Sequence, residues 1–264
     1  MSSMNITKNV ERQYDNDSNL VIRTNLHLKY STNKQEFVPW LFDKYNFISN
    51  CRILELGCGN GGQWENQIDK LPDGCTLLLS DFSNGMLNIV KEKYWKYKNV
   101  SLQQIDIQDI PFSDEAFDVI IANHMLYHVP EISKALSEVR RVLKPGGKFY
   151  SATNGNGGMR AFLHDAFKYL DPDTKAFTQK LSFCLQNGFE ILSGFFPYVK
   201  RIDYEDSLSI TETQDLIDWL KSTITIASYE EKDVDGLFDY FENIRKTHGA
   251  INIPKETCLF ISTK

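Results

Sequence analysis

Hydrophobic and polar positions alternate in a regular rhythm between residues 50 and 153. Residues 51–56 form a short apolar run that stops at glycines, and 76–81 (TLLLSD) form a second; both read as buried strands. Residues 64–71, between them, read as helix. Ser83 is placed to cap a helix whose Met86, Leu87, Ile89, Val90 and Tyr94 suit one buried stripe. Further strands are expected at 100–106 and 117–122. Ile132, Ala135, Leu136, Val139, Val142 and Leu143 recur at spacings of three and four, which predicts an amphipathic helix halted by Pro145-Gly146-Gly147. A fifth strand follows at 148–152. Strands alternating with helices imply an α/β protein, a mainly parallel sheet covered on both faces.

The flanks are less regular. Residues 35–48 carry an aromatic-rich helical pattern, and Thr32 with Gln35 suggests a capping box at its start. Beyond 153 the loop Asn154-Gly155-Asn156-Gly157-Gly158 leads to helical stretches at 158–170 and 174–187. A strand is expected at 198–204. Thr211 and Gln214 form a second candidate capping box before a helix through Leu216, Ile217 and Leu220. Val234, Leu237, Phe238, Phe241 and Ile244 mark one more helix, and 257–263 (TCLFIST) closes the chain as a strand. The expected organisation is an N-terminal helical lid at 1–48 and a main domain at 49–264. Within the latter, 154–197 has no place in the alternation and reads as a helical cap over the sheet's carboxyl edge.

Composition narrows the classes. The chain has 264 residues, 42% hydrophobic and 24% charged, as in an ordinary globular protein. No apolar run approaches the roughly 20 residues of a membrane span, and the polar start lacks the apolar core of a signal peptide. A cytoplasmic location and no membrane partner are therefore expected. Five dispersed cysteines without a C-x-x-C pair argue for reduced thiols and against disulfide staples or a zinc site, and no metal-binding residue is assigned, though metal dependence cannot be read from the chain. A net charge of −6 disfavours nucleic acid as a partner. The basic clusters at 91–98 and Arg140-Arg141 read as solvated helix faces.

The chemistry concentrates in residues 52–64, RILELGCGNGGQW. Gly57, Gly59 and Gly62 spell the G-x-G-x-x-G of a dinucleotide loop, whereas Gly57, Gly59 and Gly61 spell G-x-G-x-G with an acid two residues ahead. In an open parallel sheet such a strand–loop–helix junction binds ligand in either reading. Asp81, 20 residues after Gly61, is placed to accept a ribose's hydroxyls. Glu55 separates the readings: a carboxylate there repels a pyrophosphate and suits an ammonium. S-adenosylmethionine, with a ribose, an amino acid and a sulfonium but no phosphate, fits those charges.

The segments LELGCGNG, LLLSDFSNGML, IDIQDIPFSDEAFDVIIANHMLYHV and EVRRVLKPGGKFY together resemble the class I S-adenosylmethionine-dependent methyltransferases of the small-molecule type, in order and spacing across about 50–153. The N-terminal stretch also resembles the lead-in helices of some bacterial members. The resemblance implies a Rossmann-like three-layer αβα sandwich whose seven-stranded sheet ends in an antiparallel strand, with TCLFIST as that strand. It implies that Glu55, Gly57, Cys58, Gly59 and Gly61 form the cofactor loop and that Asp81 holds the ribose, with Phe82 and Met86 beside the adenine. Asp106 would accept from the adenine amine and Ile107 would donate to its ring. Asn123 and His124 would present carbonyls to the methionyl amine. Each has a plainer alternative: Asp81 and Asp106 as turn or cap residues, Met86 as core, Trp64 as packing. Asp109, Asp114 and Asp118 read as turn and solvent residues.

For the transfer itself, His128 and His124 bracket Tyr127 after the fourth strand, as candidate base or positioner of the acceptor. Tyr14, His27 and Tyr30 sit where family members fold a lid over the cofactor, with Arg23 available for a carboxylate; simple helix packing is the alternative. His164, on the expected cap, faces either substrate or solvent. No N/D-P-P-aromatic motif and no Pro-Cys nucleophile appears, which points away from nucleic-acid bases. Aromatic residues in 162–198 suggest an apolar or aromatic small acceptor. The expected function is methyl transfer to O, N or C of a small molecule, by proximity and in-line orientation. An NAD(P)-dependent oxidoreductase and a non-catalytic cofactor-binding protein are the rivals. Oligomeric state cannot be read from the chain.

Overall fold

The alternation folds into a seven-stranded sheet. The computed structural model describes residues 17–227 and 229–264. The strands are β1 (Arg52–Leu56), β2 (Thr76–Asp81), β3 (Val100–Gln104), β4 (Phe117–Ile121), β5 (Leu143–Asn154), β6 (Tyr198–Tyr204), β7 (Ser207–Ile210), β8 (Ile251–Pro254) and β9 (Thr257–Thr263). The main sheet runs β3-β2-β1-β4-β5-β9-β6, and β7 and β8 pair apart from it. β1 is parallel to both β2 and β4, so Leu54 stands between Leu78 and Ile120. β9 is antiparallel to β5 and β6, the reversed strand that TCLFIST was expected to supply. Strand order reverses around β1 and β4, and the crevice at their carboxyl ends is where such sheets bind ligands.

Side-chain alternation builds a core on each face. Leu54 and Leu56 of β1 join Ile120, Phe149 and Phe260 on one face, under Ala135, Leu136 and Val139 of helix α4 (Ile132–Val142). Ile53 joins Leu77, Leu79 and Ile121 on the other, under Leu87 and Val90 of α3 (Asn84–Tyr94). Ser83 caps α3 as expected, its hydroxyl accepting from Met86 N at 3.3 Å.

A third core lies apart. It joins Leu26 and Tyr30 of α1 (Ser18–Tyr30) to Leu163 and Phe167 of α5 (Gly158–Leu170), with Leu208, Leu216, Phe241 and Ile253 from farther along. This core draws on residues well outside 154–197. Phe183, Leu192 and Phe196, from the second half of that stretch, pack into the first sheet core instead. No helix of the described residues is long and apolar enough to cross a membrane.

Several local expectations are corrected. Residues 64–71 form two 3-10 turns, Gly62–Trp64 and Ile68–Lys70, because Trp64 turns fully inward and Asn66 adopts a left-handed φ of 60° that interrupts any helix. Residues 174–187 are turns: Ala176 and Phe177 enter the third core while Phe183 enters the first, and one helical face cannot serve both. Helix α6 (Gly188–Ser193) follows. Neither capping box forms. Thr32 Oγ1 meets Ser207 Oγ at 2.8 Å and Gln35 Nε2 donates to Asp43 at 2.6 Å, and α2 (Phe37–Phe42) has Glu36 at its N-cap. Gln214 Nε2 donates to Asp218 at 2.7 Å within α7 (Thr213–Ala227). The helix marked by Val234 to Ile244 is two, α8 (Glu231–Asp235) and α9 (Leu237–His248), divided at Gly236.

Phe260 on β9 is fully buried, with its ring 5.8 Å from that of Phe183. Phe260→Ala is expected to lose about 3–5 kcal/mol, as large aromatic deletions from a packed core do. Denaturant titration checks this.

Candidate functional site

The loop after β1 resolves the two glycine patterns. Gly57, Gly59 and Gly61 have φ of 70°, 55° and 71°, in the left-handed region open to glycine, whereas Gly62 does not. A Cβ on Gly57 would stand 2.9 Å from Met125, and one on Gly61 2.8 Å from Tyr94, whose hydroxyl donates to Gly61 O at 2.7 Å. On Gly62 a Cβ would meet only the Asn60 amide oxygen, at 3.1 Å. Cys58 N donates to Ser80 O at 2.9 Å and ties the loop to β2. The Cys58 thiol is buried and pushed well up by desolvation, so it packs and does not react.

Acids stand at the carboxyl ends of three neighbouring strands. Alternation along β1 puts Glu55 on the face of Ile53, 3% exposed, where Trp64 Nε1 and Gln63 Nε2 each donate to it at 2.5 Å. Burial, helped by nearby Asp81 and opposed by the indole bond, pushes its pKa up to about 8. Glu55 therefore does not lie open to ligand as a bare carboxylate; it is a protonated acid at neutral pH, held by its own loop. Asp81 ends β2 half-buried. Its oxygens accept from Gly59 N and Ser83 N, both at 2.8 Å; burial raises its pKa, opposed by backbone bonds from Ser83, Gly59 and Phe82. Asp106 is half-buried just past β3 and closes a turn, accepting from Gln108 N at 2.8 Å, beside buried Ile107. Phe82 is half-buried and Met86 fully buried.

Asn123 and His124 follow β4 and are gripped by β5: Ala152 N donates to Asn123 Oδ1 at 2.9 Å, and His124 N donates to Ala152 O at 2.8 Å. Asn123 Nδ2 donates to Tyr45 Oη at 2.7 Å and to Gln63 Oε1 at 3.0 Å. A continuous chain of bonds thus runs from Trp64 and Glu55 through Gln63 to Asn123 and Tyr45. Sequence reasoning did not mark Gln63, Tyr45 or Trp64 as part of the site. The only signal was the alternation that aims Glu55 at the Trp64 side. His124 holds a left-handed φ of 52°, a strained backbone for a residue other than glycine. Desolvation lowers His124 and His128 to about 4, with Lys255 adding to the first and Arg23 to the second.

α1 lies over the loop. Leu20 is 3.3 Å from where a Gly59 Cβ would stand, and Asn60 Nδ2 donates to Asp17 at 3.3 Å. His27 comes from the same helix; burial first, then Lys255 and His124, lower its pKa to about 3. Arg23 donates to Ser222 Oγ and O at 3.3 and 2.9 Å, and Tyr30 to Asp215 at 2.6 Å, so both hold α1 to α7. Tyr14 lies outside the described residues. His164 Nδ1 bonds Ala176 O at 2.9 Å within the covering layer. Asp114 and Asp118 pair with Arg141 and Lys144 at 3.0 and 2.7 Å. Among the described residues no group of three or more His, Cys, Asp or Glu is placed to hold a metal ion. Two clefts, of about 450 and 220 Å³, lie elsewhere: one against the starts of β5 and β6 and the end of β9, the other along β1–β3.

Residues 54–151 match the family model of the methyltransferase domain. Those residues are similar to a methyltransferase domain, and they lie in a seven-stranded sheet with one reversed strand. A stretch of 98 residues is 39% identical to the demethylmenaquinone methyltransferase of Staphylococcus aureus, covering 36% of this chain and 40% of that protein. The match thus spans about two fifths of the curated relatives' length. The fold resembles the YcgJ protein of Bacillus subtilis (TM-score 0.60, 17% identity, 86% of this chain and 97% of that one). It also resembles the [4+2]-cyclase SpnF (TM-score 0.60, 14% identity, 97% and 94%). A phosphoethanolamine N-methyltransferase of Haemonchus contortus, solved with S-adenosylhomocysteine, matches at TM-score 0.54 and 20% identity over 85% of this chain and 51% of that one.

Gly61→Ala is expected to destabilise the fold by about 1–2 kcal/mol or more, since a left-handed alanine is strained, while Gly62→Ala stays within about 0.5 kcal/mol; denaturant midpoints compare them. Glu55 gives a pH signature. The folded group keeps its proton up to about 8 whereas the unfolded one loses it near 4.5, so folding is progressively penalised as pH rises between those values. Glu55→Gln lacks the penalty. Its melting temperature relative to the parent is expected to climb across that window, and a constant difference would refute the raised pKa.

Proposed function

We propose that this protein transfers the methyl group of S-adenosylmethionine to a small-molecule acceptor. The observation that carries the reading is the loop of three left-handed glycines with acids at the ends of β1, β2 and β3. Asp81 and Asp106 suit ribose hydroxyls and an adenine amine, and Glu55, though protonated, can ionise beside an ammonium and gains nothing beside a pyrophosphate. Asp81, at the end of β2, is assigned to the ribose hydroxyls, with Phe82 and Met86 flanking the adenine. Asp106, which accepts from both the backbone and the side-chain amide of Gln108, is assigned to the adenine amine, with Ile107 N donating to the ring. The carbonyls of Asn123 and His124 face the methionyl end. Glu55 supports the loop from beneath and ionises when a cationic amino acid arrives.

Bound there, S-adenosylmethionine supplies an already activated methyl group. The chain's part is to hold acceptor and donor in line and to exclude water, and α1 over the loop serves both ends. With pKa values near 4, His124 and His128 are neutral and weakly basic at pH 7, which favours positioning over proton removal. The staphylococcal relative takes its name from a small acceptor, which supports a small acceptor here. Five unbridged, buried cysteines suit a reducing cytoplasmic compartment.

Calorimetry with S-adenosylmethionine, S-adenosylhomocysteine and NAD tests the reading. The two sulfur ligands are expected to bind and NAD not to, and Asp81→Ala is expected to lose about tenfold or more in affinity, the loss of a bidentate charged contact. Binding of NAD alone would overturn it in favour of an oxidoreductase. Release of S-adenosylhomocysteine with an acceptor separates an enzyme from a protein that merely binds the cofactor.

A further inference from the structure

Two of the five cysteines lie side by side. Cys51 and Cys75 each stand one residue before a strand, and β1 and β2 run parallel with Arg52 opposite Thr76. That register makes the two cysteines lateral neighbours, and Thr76 N donates to Cys51 O at 3.0 Å. Alternation then aims the side chains. Arg52 and Thr76 are exposed, so both thiols turn into the core with Ile53 and Leu77. Their sulfurs stand 3.1 Å apart.

The backbone around them fixes this meeting. Asn50 N donates to Asp73 O at 2.9 Å, which ties the segments entering the two strands to one another. Asn50 and Gly74 hold left-handed φ of 62° and 75°, and a Cβ on Gly74 would strike the Asn50 side chain. Cys75 Sγ also lies 3.2 Å from Ile48 O. Both cysteines are 2% exposed, yet Asn50, Arg52, Gly74 and Thr76 on either side of them are exposed. Strand ends with so thin a cover open by local fluctuation, enough to admit a molecule little larger than water. Cys184 and Cys58 are engaged differently: the first is bonded to Asn156 and Asn187 at 3.2 and 3.3 Å, and the second lies in the glycine loop.

We propose that Cys51 and Cys75 form an oxidation site, converted by a hydroperoxide to a disulfide that staples the amino ends of β1 and β2. In the first step the Cys75 sulfur takes one peroxide oxygen to become a sulfenic acid, the O–O bond breaks, and water leaves. In the second the Cys51 sulfur displaces that hydroxyl, the S–S bond forms, and the Cys51 proton departs with the hydroxyl as a second water. The pair is oxidised by two electrons and the peroxide is reduced by two. Burial, then the bond to Cys75, push Cys51 up to about 12, so Cys51 is a thiol at neutral pH and suits the second step. The sulfurs need to close by about 1 Å to reach bonded distance, a shift within side-chain freedom. The staple closes residues 51–75 into one covalent ring that contains Glu55, the three left-handed glycines and Trp64. Its stabilisation comes from freedom removed from the unfolded chain.

The test treats the reduced full chain with dilute hydrogen peroxide and follows intact mass, the thiol count in denaturant and the proteolytic peptides. Two of the five thiols are expected to disappear with the mass of two hydrogen atoms, and one peptide pair is expected to be joined through Cys51 and Cys75. Dithiothreitol is expected to reverse both changes. The melting temperature of the oxidised chain is expected to rise by about 5 °C or more. Cys51→Ala and Cys75→Ala are each expected to abolish the linkage and the rise, whereas Cys184→Ala keeps both. Retention of all five thiols at a peroxide dose that oxidises the methionines, a disulfide joining any other pair, or a lower melting temperature on oxidation each overturns the proposal. If a variant fails to fold, the peptide map and melting temperature of the parent chain decide alone.

Discussion

The short bond from Trp64 to the buried carboxyl of Glu55 organises the carboxyl edge of the sheet. Glu55 is on the central strand, and period-two alternation sends its side chain into an apolar layer where an acid is costly. The indole and the Gln63 amide meet both oxygens and offset that cost. To do so, the chain must turn tightly at Gly61 and fold Trp64 beneath the loop. Gln63 then reaches Asn123, and Asn123 ties the end of β4 to β5 and Tyr45. One pairing thus couples the glycine loop to the end of β4 and to β5.

The same pairing explains why a helix is missing where the pattern favoured one. A helix through 64–71 would carry Trp64 along its axis, away from Glu55. The left-handed turn at Asn66 and two 3-10 turns let the indole point inward at the expense of regular structure. Propensity is a weak prior, and a buried acid needing a donor is a stronger demand.

Around the glycine loop the fixed groups are acids, at the ends of β1, β2 and just past β3. The end of α1, the segment around Asp206 and the loop carrying Lys255 are joined by one hydrogen-bonded cluster: Ser31 donates to Asp206, which pairs with Lys255. Chain segments far apart in number thus hold one another beside the sheet.

What the sequence determined alone was whatever depends on local period and local conformational need. Runs such as TLLLSD and TCLFIST are strands because their apolar alternation suits nothing else, and the E-x-G-x-G-x-G loop is legible because three positions require φ values that glycine allows. Asp81, Asp106 and Asn123 were locatable because each follows a strand end by a short, countable distance. Tertiary structure alone decided the rest. Residues 171–187 divide between two cores, so no single periodicity describes them. His27, His124, Asp206 and Lys255 come from positions up to 228 residues apart in number, and only folding brings their charges together. Glu55 reads as an open carboxylate in the sequence and is a capped, protonated acid in the fold, because its protonation is set by neighbours that the sequence does not put beside it.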